Sequence, residues 1–155
     1  MKSVLGTNSP WHVAKCGDPD CFPCSTAVGP LKISCRTPGA VYSIVCLLCQ
    51  GKGTDAVYYG ETGKNCYSRG KKHLEDFAAK LSSHCMTIHA KKHHPDVTTV
   101  ASNFRMIPLK LIRKPLDRQI TEALEIANSS VDILFNSGTE WRFGQIPRTA
   151  VTSPV

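Results

Sequence analysis

Hydrophobic and polar positions follow different patterns before and after residue 40. Residues 1–39 contain several Pro and Gly and four of the cysteines, with little helical or alternating periodicity. Such a segment cannot build its own core, so we expect a loop-rich arm that a bound metal holds in place. Further on, two β-branched and aromatic runs, 40–48 and 56–60, flank the Gly-containing stretch 50–55. This arrangement predicts an antiparallel β-hairpin.

Apolar residues at helical spacing follow the hairpin. Residues 65–81 predict a helix, and Ser82 is a candidate cap for a second helical stretch that runs through the histidines to Pro95. The apolar stripe of the first helix consists of Leu74, Phe77, Ala78 and Leu81. Arg69 and His73 are one turn apart, so we expect them to flank this stripe without entering the core.

A third strand and a last helix complete the pattern. Residues 104–112 predict the strand, in which Pro108 is compatible only with an edge or a bulge. Pro115 suits the first turn of a helix that ends near Ala127. The apolar face of this helix consists of Leu116, Ile120, Ala123, Leu124 and Ala127. The order strand, strand, helix, helix, strand, helix predicts a small α+β domain.

Composition narrows the class of protein. The chain has 155 residues, 41% of them apolar and 20% charged, which predicts one folded domain and not a disordered chain. No apolar run approaches the ~20 residues of a membrane-spanning helix. The first residues lack the apolar block of an export signal, so we expect a nuclear or intracellular protein. A net charge of +7 favours nucleic acid as the partner, although a basic surface without an anionic ligand is the plainer alternative.

Eight cysteines and six histidines are the unusual feature of the composition. In a reducing compartment, closely spaced Cys and His indicate zinc ligands more readily than disulfides. One predicted structural site has two thiolates and two imidazoles, and the other has four thiolates. The predicted ligands are Cys46, Cys49, His84 and His89 for the first site, and Cys16, Cys21, Cys24 and Cys35 for the second.

Alternatives to both zinc sites stay open at this point. The histidines can be exposed and the cysteines can be free thiols or, in an exported protein, two disulfides. Cys66 and Cys85 are left over, and Cys85 lies between the paired histidines and can substitute for one of them. His93 and His94 can add metal affinity, or can simply mark the end of a helix before Pro95.

A second set of polar and aromatic residues is a candidate for chemistry. Two strand segments end in tyrosine motifs, Ala40-Val41-Tyr42 and Tyr58-Tyr59-Gly60, and an arginine and a histidine follow on the next helix. An acidic residue and an amide residue come much later in the chain. The six candidates are Tyr42, Tyr58, Arg69, His73, Glu122 and Asn136. Taken singly, each has a plainer explanation, for example a core tyrosine or a Glu122–Arg118 pair on one helix.

In this order, the six residues resemble the GIY-YIG endonucleases. The cysteines between the two tyrosine motifs, the paired histidines and the Cys-rich lead-in are most similar to the endonuclease domains of Penelope-like retroelements. The resemblance implies a three-stranded antiparallel sheet flanked by helices. It also implies a nuclease domain at 40–146 with an inserted zinc site. The zinc-binding arm at 1–39 follows from its composition, and we expect a flexible tail at 147–155 because chain ends fray.

The resemblance further implies a role for each residue. Glu122 would bind Mg²⁺ or Mn²⁺, since a carboxylate prefers a hard ion, and Arg69 would hold the scissile phosphate. Tyr58 or His73 would act on the attacking water, and Tyr42 would share their proton network. Asn136 would position Glu122 or the DNA backbone. Lysines near the same helix are candidates for backbone contacts, namely Lys64, Lys71, Lys72, Lys91 and Lys92.

The implied function is a metal-dependent DNA endonuclease that nicks double-stranded target DNA and leaves a 5′-phosphate and a 3′-hydroxyl. A reverse transcriptase in the same polyprotein would then extend that hydroxyl. The alternative is a catalytically inactive, zinc-stabilised module that binds nucleic acid. A secreted disulfide protein is a third class.

Overall fold

A computed structural model describes residues 13–130 and 132–136. They form an α+β fold around a three-stranded antiparallel sheet with strand order β2-β1-β3. The strands are β1 (Ala40–Cys46), β2 (Val57–Thr62) and β3 (Phe104–Leu111), and the helices are α1 (Phe22–Thr26), α2 (Leu47–Gly51), α3 (Cys66–Ala78), α4 (Cys85–His93) and α5 (Pro115–Ala127), with a 3₁₀ turn at Ala101–Asn103. Among these described helices, none has the length and apolar character needed to cross a bilayer. The predicted tail at 147–155 lies outside the described residues.

The predicted hairpin is confirmed, with a shorter first strand. β1 pairs antiparallel with β2, so that Tyr42 lies opposite Gly60. The expected strand 40–48 ends at Cys46, because the short helix α2 begins at Leu47 and carries the chain over the end of the hairpin. α2 brings Cys49 back beside the end of β1, which positions one of the metal-ligand sets described below.

Pro108 lies on an edge strand, as its missing N–H requires. β3 pairs only with β1 among the described strands, and Pro108 is opposite Tyr42. The register shifts between Val41 and Tyr42, so the proline is also next to an irregularity. Pro108 therefore lies both on an edge strand and beside a bulge, the two positions that the sequence analysis allowed for it.

The predicted helices are present, but α3 ends at Ala78 and not at Leu81, and α4 begins at Cys85 with His84, not Ser82, at its N-cap position. The side chain of Asn65 caps α3 by accepting a hydrogen bond from the backbone N–H of Ser68 at 2.8 Å. α5 begins at Pro115, where the missing N–H costs nothing, and ends at Ala127.

The buried faces of α3 and α5 differ from the predicted apolar faces. α3 buries Cys66, Gly70 and His73, while Ala78 and Leu81 are exposed. The expectation that His73 stays outside the core is therefore wrong. Its ring is 3% exposed, which is tolerable because both ring nitrogens have partners.

α5 turns polar residues inward. Its buried residues are Arg118, Glu122, Ala123 and Ile126, whereas Leu116, Ile120 and Leu124 are 37–41% exposed. α5 packs against β2 and β1, so its inward polar residues face the strands that carry the two tyrosines.

The Cys-rich arm packs onto the rest of the fold. α1 contacts β3 and α3, and Phe22, which is fully buried, belongs to the same hydrophobic cluster as Tyr42 and Ile44 of β1. The contact with α3 is close: a Cβ on Gly70 would lie 2.9 Å from the Cβ of Phe22.

Candidate functional site

A cavity of about 320 Å³ opens to solvent beside the sheet, between α3, α4 and the segment 134–136. Four of the six predicted catalytic residues line it, and two of them are aromatic rings in contact. The four are Tyr58, Arg69, His73 and Asn136. The wall also contains His84, Cys85 and the cationic Lys92.

Tyr42 lies under this cavity and joins two of its lining residues. The hydroxyl of Tyr42 is 2.8 Å from Nε2 of His73, and Nε of Arg69 donates to the same oxygen at 3.3 Å. The ring of Tyr58 is tilted against Tyr42 and meets His73 edge-on, with centroids 6.4 and 6.0 Å away. Strand β1, strand β2 and helix α3 thus bring two phenols, an imidazole and a guanidinium together.

Burial controls the protonation of this group. Loss of solvent raises the pKa of Tyr42 far above its usual value, although Arg69 acts in the opposite direction. Burial also lowers the pKa of His73 to about 3, and the charge of Arg69 adds to that effect. For Arg69, burial opposes the charge, but the neighbouring Tyr42 hydroxyl leaves its pKa above the usual value. At neutral pH the group therefore holds a neutral phenol, a neutral imidazole and a guanidinium cation.

Asn136 is engaged by the backbone of β2. Its amide oxygen accepts from the N–H of Tyr59 at 2.9 Å, and its amide nitrogen donates to the carbonyl of Tyr59 at 2.8 Å. The preceding residues extend this attachment, because Val57 donates to Ile133 and accepts from Phe135. The structure therefore places Asn136 as a clamp that holds one wall of the cavity on the sheet.

Glu122 lies on the inward face of α5 and is 7% exposed. It does not belong to the described lining of the cavity. Its neighbour Arg118 directs Nε to Oε1 of Glu61 at 2.7 Å, and Nη1 to the carbonyls of Ile112 and Arg113. Arg118, which is buried, thus forms an ion pair with the partly exposed Glu61 of strand β2 that the sequence pattern did not indicate.

The hairpin carries one set of candidate metal ligands. One ligand atom each from Cys46, Cys49, His89 and His94 lies within 4.8 Å of the others. Nε2 of His94 is 3.3 Å from both sulfurs, and Nε2 of His89 is 3.3 Å from the sulfur of Cys49. Tetrahedral zinc, with bonds of about 2.0–2.3 Å, requires separations of roughly this size. The set can hold a structural zinc ion.

The fourth member of that set is not the predicted one. His84 and His94 both stand five positions from His89, so spacing does not discriminate between them. His84 occupies the N-cap position of α4 and its ring contacts His73, whereas His94 follows the end of α4 and reaches the sulfurs beside α2. The prediction of His84 as the fourth ligand is therefore corrected to His94.

The arm carries the second set, with the four predicted cysteines. The sulfurs of Cys16, Cys21, Cys24 and Cys35 lie within 4.8 Å of one another, and those of Cys24 and Cys35 are 3.6 Å apart. Burial raises the pKa of Cys35 to about 11, while the backbone of Asp18 and then Arg36 lower that of Cys16 to about 6. A bound cation would offset the cost of forming the buried thiolates.

Cys66 lies outside both metal-ligand sets. Cys66 is fully buried, and burial raises its pKa to about 12, so it behaves as a core thiol.

Lys64 and Lys71 are exposed, whereas Lys72 pairs with Asp76 at 3.0 Å. A better placed cation is Lys92, which lines the cavity.

Comparisons with protein-family models, curated proteins and solved structures found no match to this chain. The functional assignment therefore depends on the side chains described above and on the resemblance of their sequence motifs to a known family.

Proposed function

We propose that this chain is a metal-dependent DNA endonuclease of the GIY-YIG type. In this proposal it hydrolyses a phosphodiester bond in one DNA strand and leaves a 5′-phosphate and a 3′-hydroxyl, which a retroelement reverse transcriptase would extend. The supporting observation is the open cavity in which Tyr58, Arg69 and His73 share one wall. Asn136, which is distant from them in sequence, lines the same cavity, and the cavity volume of about 320 Å³ leaves room for a phosphate and several waters.

Arg69 is the proposed phosphate-binding group. Its guanidinium is partly exposed at the cavity wall, and its bond to the Tyr42 hydroxyl fixes Nε. The terminal nitrogens can then approach a phosphate as a planar pair of donors. Lys92 adds a second positive charge to the same wall, which favours an anionic substrate over a neutral one.

Tyr58 is the better candidate for the group that takes a proton from water. The pKa of His73 is lowered to about 3 by burial, so its ring holds an added proton weakly. A tyrosine, with an ordinary pKa near 10, becomes a usable base when a neighbouring cation stabilises its phenolate. Arg69 supplies such a charge at the same wall.

Glu122 is the proposed ligand of Mg²⁺ or Mn²⁺. It is the carboxylate on the inward face of α5, and such an ion would neutralise negative charge on the phosphate. The cavity wall itself presents ring nitrogens of His73 and His84 and the sulfur of Cys85, and this donor set does not fit a hard ion.

The second candidate is a zinc-stabilised module that binds nucleic acid without cutting it. The position of Glu122 outside the described cavity lining favours this alternative, because a binding module needs the cations of the wall and no metal-binding carboxylate.

Relaxation of supercoiled plasmid in the presence of Mg²⁺ or Mn²⁺ tests the proposal. We expect nicked circles from the wild type, and losses of about a hundredfold or more for Glu122→Gln and Arg69→Gln. Glu125→Gln, a carboxylate change one turn further along α5, is the matched control and should retain activity.

Two results would contradict the nuclease. The first is an equal, trace amount of nicking by wild type and Glu122→Gln. The second is full activity in Arg69→Gln. A gel shift of duplex DNA that Arg69→Gln and Lys92→Gln weaken, with no cleavage by the wild type, would support the binding module instead.

A further inference from the structure

A third group of metal-ligating side chains lies where α3 and α4 meet. One ring nitrogen each from His73 and His84 and the sulfur of Cys85 lie within 4.8 Å of one another. This group is separate from the hairpin set and from the arm set, and it shares no residue with either.

The chemistry of this group differs from that of the two closed sets. It offers two nitrogens and one sulfur, a donor set that suits Zn²⁺ and similar ions of intermediate softness. The closed sets supply four protein ligands each, whereas this group supplies three among the described residues. A tetrahedral ion held by three side chains keeps one position for water or a ligand.

The surroundings of His73 orient its ring for such a role. Nε2 is engaged by the Tyr42 hydroxyl at 2.8 Å, which leaves Nδ1 as the nitrogen that can ligate. That Nδ1 is 2.9 Å from Nε2 of His84. A hydroxyl partner on the far nitrogen is the arrangement that fixes the tautomer of a metal-bound histidine.

His84 approaches the same point from the other side. Its Nε2 lies 2.9 Å from Nδ1 of His73, so these two nitrogens are the ones that an ion between the rings would contact. Its other nitrogen, Nδ1, is buried without a hydrogen-bond partner among the described residues, and an ion at Nε2 leaves that atom unchanged.

The open side of the group faces the cavity. His73, His84 and Cys85 all line it, as do Arg69 and Lys92, and the cavity volume of about 320 Å³ leaves room for an anion with several waters. A cation at the three ligands, together with these two side chains, would concentrate positive charge around the free position.

We propose that His73, His84 and Cys85 form a third metal site that takes Zn²⁺ or a similar transition-metal ion and binds an inorganic phosphate or phosphate ester at its open position. The site stands whether or not the chain cuts DNA. If it does, a metal-bound His73 cannot also accept a proton, and Tyr58 is then the remaining candidate base.

Metal content tests the site without reference to activity. Zinc is measured by mass spectrometry on protein dialysed against a buffered low level of zinc. We expect three zinc ions per chain for the wild type and two for Cys85→Ala and for His84→Gln. Alanine is a good helix former at the first position of α4, and the two remaining ions report that the fold is intact. His93→Gln, which lines the same cavity outside the group, is the matched control and should keep three.

The comparison has clear contrary outcomes. Equal zinc content in the wild type and both variants would overturn the site, as would a loss in His93→Gln equal to that in Cys85→Ala.

A separate experiment tests whether the proposed ion has an open coordination position. In cobalt-substituted protein, inorganic phosphate should shift the visible absorption of the wild type and leave that of Cys85→Ala unchanged. An unchanged wild-type spectrum would overturn the open position even if the third ion is present, and plasmid cleavage has no bearing on either result.

Discussion

At the scale of single residues, the contact between Tyr42 and Gly60 decides where the site's central hydroxyl lies. A Cβ at Gly60 would fall 2.5 Å from both Cζ and the hydroxyl oxygen of Tyr42. The tyrosine ring therefore lies flat across the backbone of β2, and its hydroxyl reaches His73 and Arg69 on α3. Only glycine leaves room for the ring, which explains why the second motif ends in glycine.

Gly60→Ala should displace the Tyr42 ring. Both partners lie in the sheet, so the clash cannot be relieved by a small shift of a flexible side chain. We expect a loss of about 1–3 kcal/mol in the free energy of unfolding, measured by urea denaturation with zinc present.

Gly51→Ala is the matched control for this substitution. A Cβ at Gly51, in α2, would meet nothing within 4 Å, so we expect no loss and a gain of up to about 1 kcal/mol. Equal stability of the two variants would show that the Tyr42–Gly60 contact does not constrain the ring.

The metal-ligand sets show how far residue spacing carries a prediction. Four cysteines in a segment without periodicity predicted the arm set, and the structure brings all four sulfurs together. The hairpin set was predicted in three of its four members. His84 and His94 are equally spaced from His89, and only the path of α4 determines which one approaches the sulfurs.

At the scale of elements, α5 shows what periodicity cannot determine. The period of 3.6 residues predicted the helix, and Pro115 predicted where it begins. It did not give the buried side, because Arg118 and Glu122 face the sheet while the leucines on the other side stay partly exposed. A polar face is buried only where specific partners compensate it, and those partners are distant in sequence.

The contribution of the Arg118 contacts to the free energy of unfolding can be measured. The residue joins α5 to Glu61 of β2 and to two carbonyls that precede the helix. Arg118→Ala leaves these groups without their donor, so we expect a loss of about 3 kcal/mol, at the low end for a buried pair because Glu61 is partly exposed.

Ile120→Thr, on the exposed side of the same helix, is the control for Arg118→Ala and should change stability by about 0.5 kcal/mol or less. Urea unfolding of both variants gives the comparison. If Ile120→Thr proved as costly as Arg118→Ala, α5 would be packed on its apolar side, contrary to the structure.

At the scale of the whole molecule, the arm and the sheet share one core. Phe22 and the cysteines Cys21, Cys24 and Cys35 belong to the same buried cluster as the residues of β1. The hairpin and the third strand were predictable from β-branched and aromatic runs and the Gly-containing turn. The docking of the arm was not, because it depends on contacts such as Phe22 against Gly70, which lie 48 positions apart in the sequence.

Removal of metal should therefore destabilise the sheet as well as the arm. We expect a strong chelator to lower the thermal midpoint of the whole chain by ten degrees or more, roughly what loss of a few kcal/mol does to a domain of this size. Hydrogen exchange should rise in both α1 and β3, which are in contact.

Cys24→Ser, in the arm set, should reproduce part of the chelator effect without added chelator. The fully buried Cys66 lies outside the metal sets, so Cys66→Ala provides a comparison for the loss of a core thiol alone. A rise in hydrogen exchange that is confined to the arm would contradict a shared core.

The two closed ligand sets tie the folded population to the chemistry of the surrounding solution. Each set exists only in the native chain, so every tenfold rise in free zinc above the dissociation constant adds about 1.4 kcal/mol per ion to native stability. With both the hairpin and the arm loaded, the ratio of native to unfolded molecules grows as the square of the free zinc concentration. A protein built in this way would respond steeply to scarcity of the metal in its compartment.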